Sequence, residues 1–146
     1  MKSRRLLAAL VLAMLTVLVL ALPANAAQPL VTLEANLAGE KEVPGPGDPD
    51  GGGHAVVNVY RASVCYGLEV TNIGPATAAH IHLGFRDEAG PVVVTLNPPT
   101  DGSSGGCVQI PRALSRGLRE HPARYYVNVH NGPFPDGAIR GQLHRM

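Results

Sequence analysis

Val31-Thr32-Leu33-Glu34-Ala35-Asn36-Leu37 alternates apolar and polar side chains without a break. Successive side chains of an extended chain point to opposite faces, so a period of two reads as a strand with one buried and one wetted face. The same habit returns in residues 55–61 and 63–71, two β-rich runs with a tight connection at Ala62, which predicts a hairpin. Residues 78–83 and 92–96 predict further strands, the latter uniformly apolar and so central. Residues 107–110 predict a short strand, 125–130 a strong one and 139–143 the closing one. Between them lie turn signals. Residues 45–53 are Gly, Pro and Asp only and read as a mobile loop, while 97–106 and 131–137 are rich in Gly, Pro and Asn. Only residues 113–120 carry a helical pattern, about two turns, stopped by His121-Pro122. About eight short strands and one short helix predict a single all-β domain, a sandwich or a closed barrel.

The first residues read differently. Lys2, Arg4 and Arg5 precede an apolar run over 6–22, then Pro23 and the small-residue site Ala24-Asn25-Ala26. This is the pattern of a signal peptide over residues 1–26, leaving a domain of 27–146. The competing reading is an uncleaved anchor, since the run just reaches the lower limit for a bilayer span. No later segment is apolar enough to cross, so a membrane span is not expected after cleavage. The expected location is secreted or extracytoplasmic, the cell surface included. Three of the 12 basic residues leave with the leader and none of the 11 acidic ones, so the domain carries nine against eleven, a net charge of −2. Its only lysine is Lys41, and no Lys/Arg cluster survives along the chain. Nucleic acid is therefore not an expected partner, because phosphate neutralisation needs a basic face. The two cysteines, Cys65 and Cys107, are expected to pair in an oxidising compartment. Their loop of about 42 residues corresponds to about 4 kcal/mol of stabilisation in the chain-entropy estimate. Two buried thiols or a Cys–His metal site would fit that compartment less well.

Four stretches stand together in order: Leu37-Ala-Gly-Glu-Lys-Glu-Val-Pro44, Ala79-His-Ile-His82, Tyr125-Tyr-Val-Asn-Val-His130 and Phe134-Pro-Asp-Gly-Ala-Ile-Arg-Gly-Gln-Leu143. With their spacing, the chain resembles the CHRD (chordin) domain of bacterial proteins from residue 31 to residue 143, and the cysteine positions resemble those of actinobacterial members. The resemblance implies an immunoglobulin-like β-barrel with limited similarity to copper–zinc superoxide dismutase. It implies no settled activity, and fold alone does not supply one.

His80 and His82 are two residues apart on a strand and share a face, with Cα atoms about 7 Å apart. On the strand at 125–130, Tyr126, Asn128 and His130 share one face while Tyr125, Val127 and Val129 take the other. If these strands are neighbours, His80, His82 and His130 can form a three-imidazole site for copper or zinc. Dismutases place an early His-x-His and a late strand histidine similarly, but they also need a bridging histidine. This chain has none between Leu83 and His121, so a dinuclear site is not expected. His54 or His144 can offer a fourth ligand. The alternative is a structural polar layer in which the three histidines bond to backbone groups, with Asn128 and Gln142 completing the network.

Arg140 and Gln142 share a face of the last strand. Arg140 can guide an anion toward a metal, or pair with Glu40 or Glu42 and fasten the terminal strand to the first loop. Two weaker signals fail. Gly102-Ser-Ser-Gly-Gly106 has the spacing of a nucleophile elbow but leads to a strand and not a helix, so it reads as a linker. Asp48-Pro-Asp50 hints at a calcium loop, but Val59 stands where the closing glutamate belongs. No complete catalytic set is present. The expected function is an exported binding or structural module for a protein or cell-surface ligand. The alternative is a mononuclear copper or zinc protein, with superoxide chemistry as its furthest extension.

Overall fold

The computed structural model describes residues 27–146; the leader reading of residues 1–26 lies outside the described residues. Nine strands form in chain order: β1 Val31–Ala38, β2 Gly52–Val59, β3 Ser63–Thr71, β4 Ala76–Leu83, β5 Val92–Leu96, β6 Ser103–Gln109, β7 Tyr125–Asn131, β8 Ile139–Gln142 and β9 His144–Arg145. One α-helix, α1 Arg112–Glu120, follows β6. All neighbours are antiparallel, in the order β5-β4-β7-β8-β1-β2-β3-β6, with the short β9 added beside β1. The sheet curls into a nearly closed barrel, so the all-β expectation holds in its barrel form.

The open seam lies between β5 and β6, and Asn97 bridges it. Its backbone N–H donates to the Tyr66 hydroxyl oxygen at 2.6 Å, and its side-chain amide donates to the Gly105 carbonyl at 3.1 Å. The Ser104 hydroxyl donates to the Asn97 carbonyl at 2.7 Å.

Alternation fills the barrel. Leu33, Ala35 and Leu37 of β1, Ala55, Val57 and Val59 of β2, and Val127 and Val129 of β7 point inward and are buried. Each buried Leu or Val among them contributes about 1.5–3 kcal/mol relative to an exposed one. α1 covers one end through Leu118, which is buried, and the Ser115 hydroxyl donates to the Tyr60 carbonyl at 2.5 Å.

Two expectations are corrected. Residues 45–53 are not a free loop: the Asp48 N–H donates to the Ala138 carbonyl at 2.8 Å, and a Cβ on Gly39 would collide with the Asp48 backbone. Glycine lets two backbones meet at that point, and this packing holds the loop against the barrel. Residues 103–106 are not a linker but the first half of β6, paired with β3 from Glu69↔Ser103 to Ser63↔Gln109. Their small polar side chains carry no strand signal, because pairing and not burial makes them extended.

Cys65 and Cys107 face each other directly in that ladder, and their sulfurs are bonded with Cα atoms 4.0 Å apart. β6 adds no residue to the buried core. Apart from Val108, which packs partly buried against the core, backbone bonds and the disulfide hold this edge strand. Reduction is expected to lower unfolding stability by about 2–4 kcal/mol. Hydrogen exchange of the reduced protein should show protection lost first over Ser103–Gln109; an unchanged midpoint with β6 still protected would contradict this assignment.

Candidate functional site

The register of β4 against β7 shifts between Ala76 and Ala78. Ala76 faces the core before the shift, and Ala79 and Ile81 face it afterwards, both fully buried. Strict alternation from Ala76 would have turned residues 78, 80 and 82 inward. The extra residue of this bulge turns His80 and His82 to the outer face instead. On β7, Tyr125, Val127 and Val129 enter the core, leaving Tyr126, Asn128 and His130 outside. The ladder then sets His82 opposite Tyr126, His80 opposite Asn128 and Ala78 opposite His130.

The three imidazoles converge. Ring centroids lie 5.5 Å apart for His80 and His82, 5.1 Å for His80 and His130, and 6.3 Å for His82 and His130. One ring nitrogen from each falls within 4.8 Å of the others. Two backbone carbonyls set the tautomers. His82 Nδ1 lies 2.8 Å from the Gly90 oxygen, and His130 Nδ1 lies 3.0 Å from the Pro135 oxygen. A carbonyl only accepts, so both Nδ1 atoms carry the hydrogen, and in the neutral form each of these rings has its lone pair on Nε2. His130 Nε2 lies 3.2 Å from His80 Nδ1, whereas His82 Nε2 is buried with no partner from the protein. Burial lowers the pKa of His80 and of His82. Neighbouring positive charge adds to this, from His130 and His82 for His80 and from His130 and Arg140 for His82, while the Gly90 bond opposes it at His82.

The polar layer continues across β8. The His82 ring stacks on Tyr126, with centroids 4.7 Å apart and planes 8° from parallel. The Arg140 guanidinium carbon lies 3.4 Å from the centre of the same Tyr126 ring. Arg140 is 1% exposed, and its Nη2 donates to the Phe85 and Glu88 carbonyls at 2.7 and 2.9 Å. Gln142 Nε2 donates to the Gly84 and Ala123 carbonyls at 2.7 and 2.8 Å. These bonds lay the loop between β4 and β5 over the outer face.

The expected Arg140–Glu40 or Arg140–Glu42 ion pair does not form among the described residues. Glu42 is buried nearby but accepts from Asn128 Nδ2 at 2.6 Å, which pulls its carboxylate toward β7. Burial raises the Glu42 pKa against the bonds from Val43 and Asn128 and the charge of Arg140. Burial lowers that of Arg140 against the favourable charges of Tyr126, Glu42 and Asp87.

His54 and His144 do not join the cluster. Both turn to Glu34, with His54 Nε2 at 3.4 Å and His144 Nε2 at 3.2 Å from its carboxylate oxygens. One surface feature escaped the sequence reading: Arg61 comes beside Arg112, Arg116 and Arg119 of α1 along an open groove of about 490 Å³. Arg112, Arg116 and Arg119 recur at i, i+4 and i+7 on α1, a basic helix face that the sequence carried, while Arg61 joins them only through the fold.

The depressed histidine pKa values have a direction that can be measured. The unfolded chain takes up these protons first, so the folded state loses stability as pH falls below the ordinary value of 6.5 toward the folded midpoints. In an NMR titration without added metal, His80 and His82 should titrate below 6.5; midpoints at or above it would contradict the burial argument.

The four motifs that carry the family resemblance all contribute to this face: the first supplies Glu42, the second His80 and His82, the third Tyr126, Asn128 and His130, and the fourth Arg140 and Gln142. No curated protein and no solved structure matches the chain, so the likeness to copper–zinc superoxide dismutase has no structural neighbour behind it. The CHRD domain profile matches residues 33–143, more than half of the 146-residue chain. On that match, laid over the whole barrel from β1 to the end of β8, the chain belongs to the CHRD domain family.

Proposed function

We propose that this CHRD domain is an exported binding module that holds one copper or zinc ion on its outer face through His80, His82 and His130. The observation that carries the reading is the orphaned, buried Nε2 of His82 within a cluster of three imidazoles. A buried polar atom without a partner is costly, and a histidine kept only for hydrogen bonding would use both nitrogens. The carbonyls of Gly90 and Pro135 hold two of the rings by their Nδ1–H groups, the outer support that metal-bound histidines commonly have. Tetrahedral binding at about 2.0–2.1 Å from each nitrogen needs donor separations of about 3.3 Å. The His80–His130 pair is already at 3.2 Å, and the three donor nitrogens lie within 4.8 Å of one another. Three imidazoles suit copper and zinc alike.

Export is part of the same proposal, through cleavage after Ala26. The Cys65–Cys107 disulfide supports an oxidising compartment.

His80 separates the metal reading from the structural one. Its ring makes no bond to a covering loop; its only hydrogen-bond partner among the described residues is His130. His80→Ala should therefore fold with near-normal stability yet take up copper or zinc at least about tenfold more weakly. The unaltered protein should bind one equivalent, measured by metal analysis and isothermal titration. Absence of stoichiometric uptake, or uptake unchanged in His80→Ala, would leave the histidines as loop fasteners only.

A further inference from the structure

Where β1, β8 and β9 meet the loop after β4 there is a pocket of about 150 Å³ walled by Asn36, Lys41, Arg86, Arg140, Gln142 and His144. None of the three clustered histidines lines it. Lys41, Arg86 and Arg140 bring three positive charges, and among the described residues no carboxylate lies within ion-pair distance of any of them. Lys41 Nζ donates to the Asn36 carbonyl at 2.7 Å, and Arg86 is exposed at the rim. Glu42 and Asp87 are near enough to favour the charge of Arg140 but do not contact it.

Two buried atoms in this wall have no partner from the protein: Arg140 Nη1 and Gln142 Oε1. The Gln142 amide cannot be reversed to remove its orphan, because its Nε2 hydrogens already serve two carbonyls. Arg140 and Gln142, two residues apart on β8, thus bring an unpartnered cationic donor and an unpartnered acceptor to this wall. Buried polar groups are normally paired, so this combination specifies what is missing. The donor and the rim cations require negative charge. The acceptor requires a hydrogen-bond donor, which on a small oxyanion is an O–H. The volume, about that of five water molecules, requires a small molecule.

We propose that this pocket binds a small oxyanion that also carries an O–H, the chemistry shared by hydrogen phosphate and α-hydroxycarboxylates. Lys41 and Arg86, exposed in the same lining, add positive charge beside Arg140 and Gln142. The proposal does not rest on the histidine cluster holding metal, and metal failing to bind would not affect it.

The test is to titrate the purified protein at constant ionic strength, followed by backbone and arginine NMR, with four probes. Inorganic phosphate and glycolate carry the O–H at neutral pH; sulfate and acetate do not. Phosphate or glycolate should saturate at least about tenfold more tightly than its counterpart lacking the O–H, the factor expected when one buried hydrogen bond is left unmade. Lys41→Ala and Arg86→Ala should each weaken that binding at least about fivefold. Arg61→Ala, at the distant arginine groove, should not. Tighter phosphate identifies a phosphate source and tighter glycolate a hydroxy acid. No saturable binding, equal affinity with and without the O–H, or equal loss in Arg61→Ala would overturn the proposal.

Discussion

Taking the Arg140 guanidinium out of water is expensive, and the outer face of the barrel is arranged around meeting that cost. With 1% exposure, the group rests on the Tyr126 ring and donates to the Phe85 and Glu88 carbonyls. Those bonds fix the loop between β4 and β5, and the fixed loop brings the Gly90 carbonyl to His82. The hydrogen on His82 Nδ1, and so the lone pair on its Nε2, follows from where that loop lies. The histidine cluster thus depends on an arginine from a different motif, two strands away. Tyr126 links the two, stacked against His82 and packed against Arg140.

Glycine does comparable work at the other side of the face. A Cβ on Gly137 would occupy the space of the Glu42 carboxylate, and one on Gly47 would meet the Ala138 carbonyl. Glu42 is thereby pressed against Asn128, whose amide also donates to the Ile139 carbonyl at 3.0 Å. The loop that reads as loose from its Gly-Pro-Asp composition is the lid of a buried carboxylate–amide pair. Close backbone approach converts residues with little to bury into a well-packed cover.

Two-residue alternation made much of this legible beforehand. It separated Tyr125, Val127 and Val129 from Tyr126, Asn128 and His130, and it set His80 beside His82. What it could not supply were features that depend on backbone and not on side-chain identity. The bulge after Ala76 leaves no mark in the residues, yet it decides which way the histidines point. The partners of Arg140 are carbonyls, which every residue has, so side-chain identity points only to the nearby glutamates. β6 is extended because β3 lies beside it, and its Ser-Ser-Gly-Gly start has no apolar rhythm to report. The arginine groove joins Arg61 to a helix some fifty residues later, a proximity that only the fold creates.

The seam at Asn97 has a consequence for how the molecule behaves among its own copies. A barrel whose first and last edges meet through one asparagine, a tyrosine and a serine is a hoop with a clasp. While the clasp is shut, the unpaired backbone groups of β5 and β6 lie close to one another and offer no long free rim. Opened, it would present two strand edges ready to zip onto neighbouring chains. Those three polar side chains thus keep both edges covered, where bare edges would be templates for neighbouring chains.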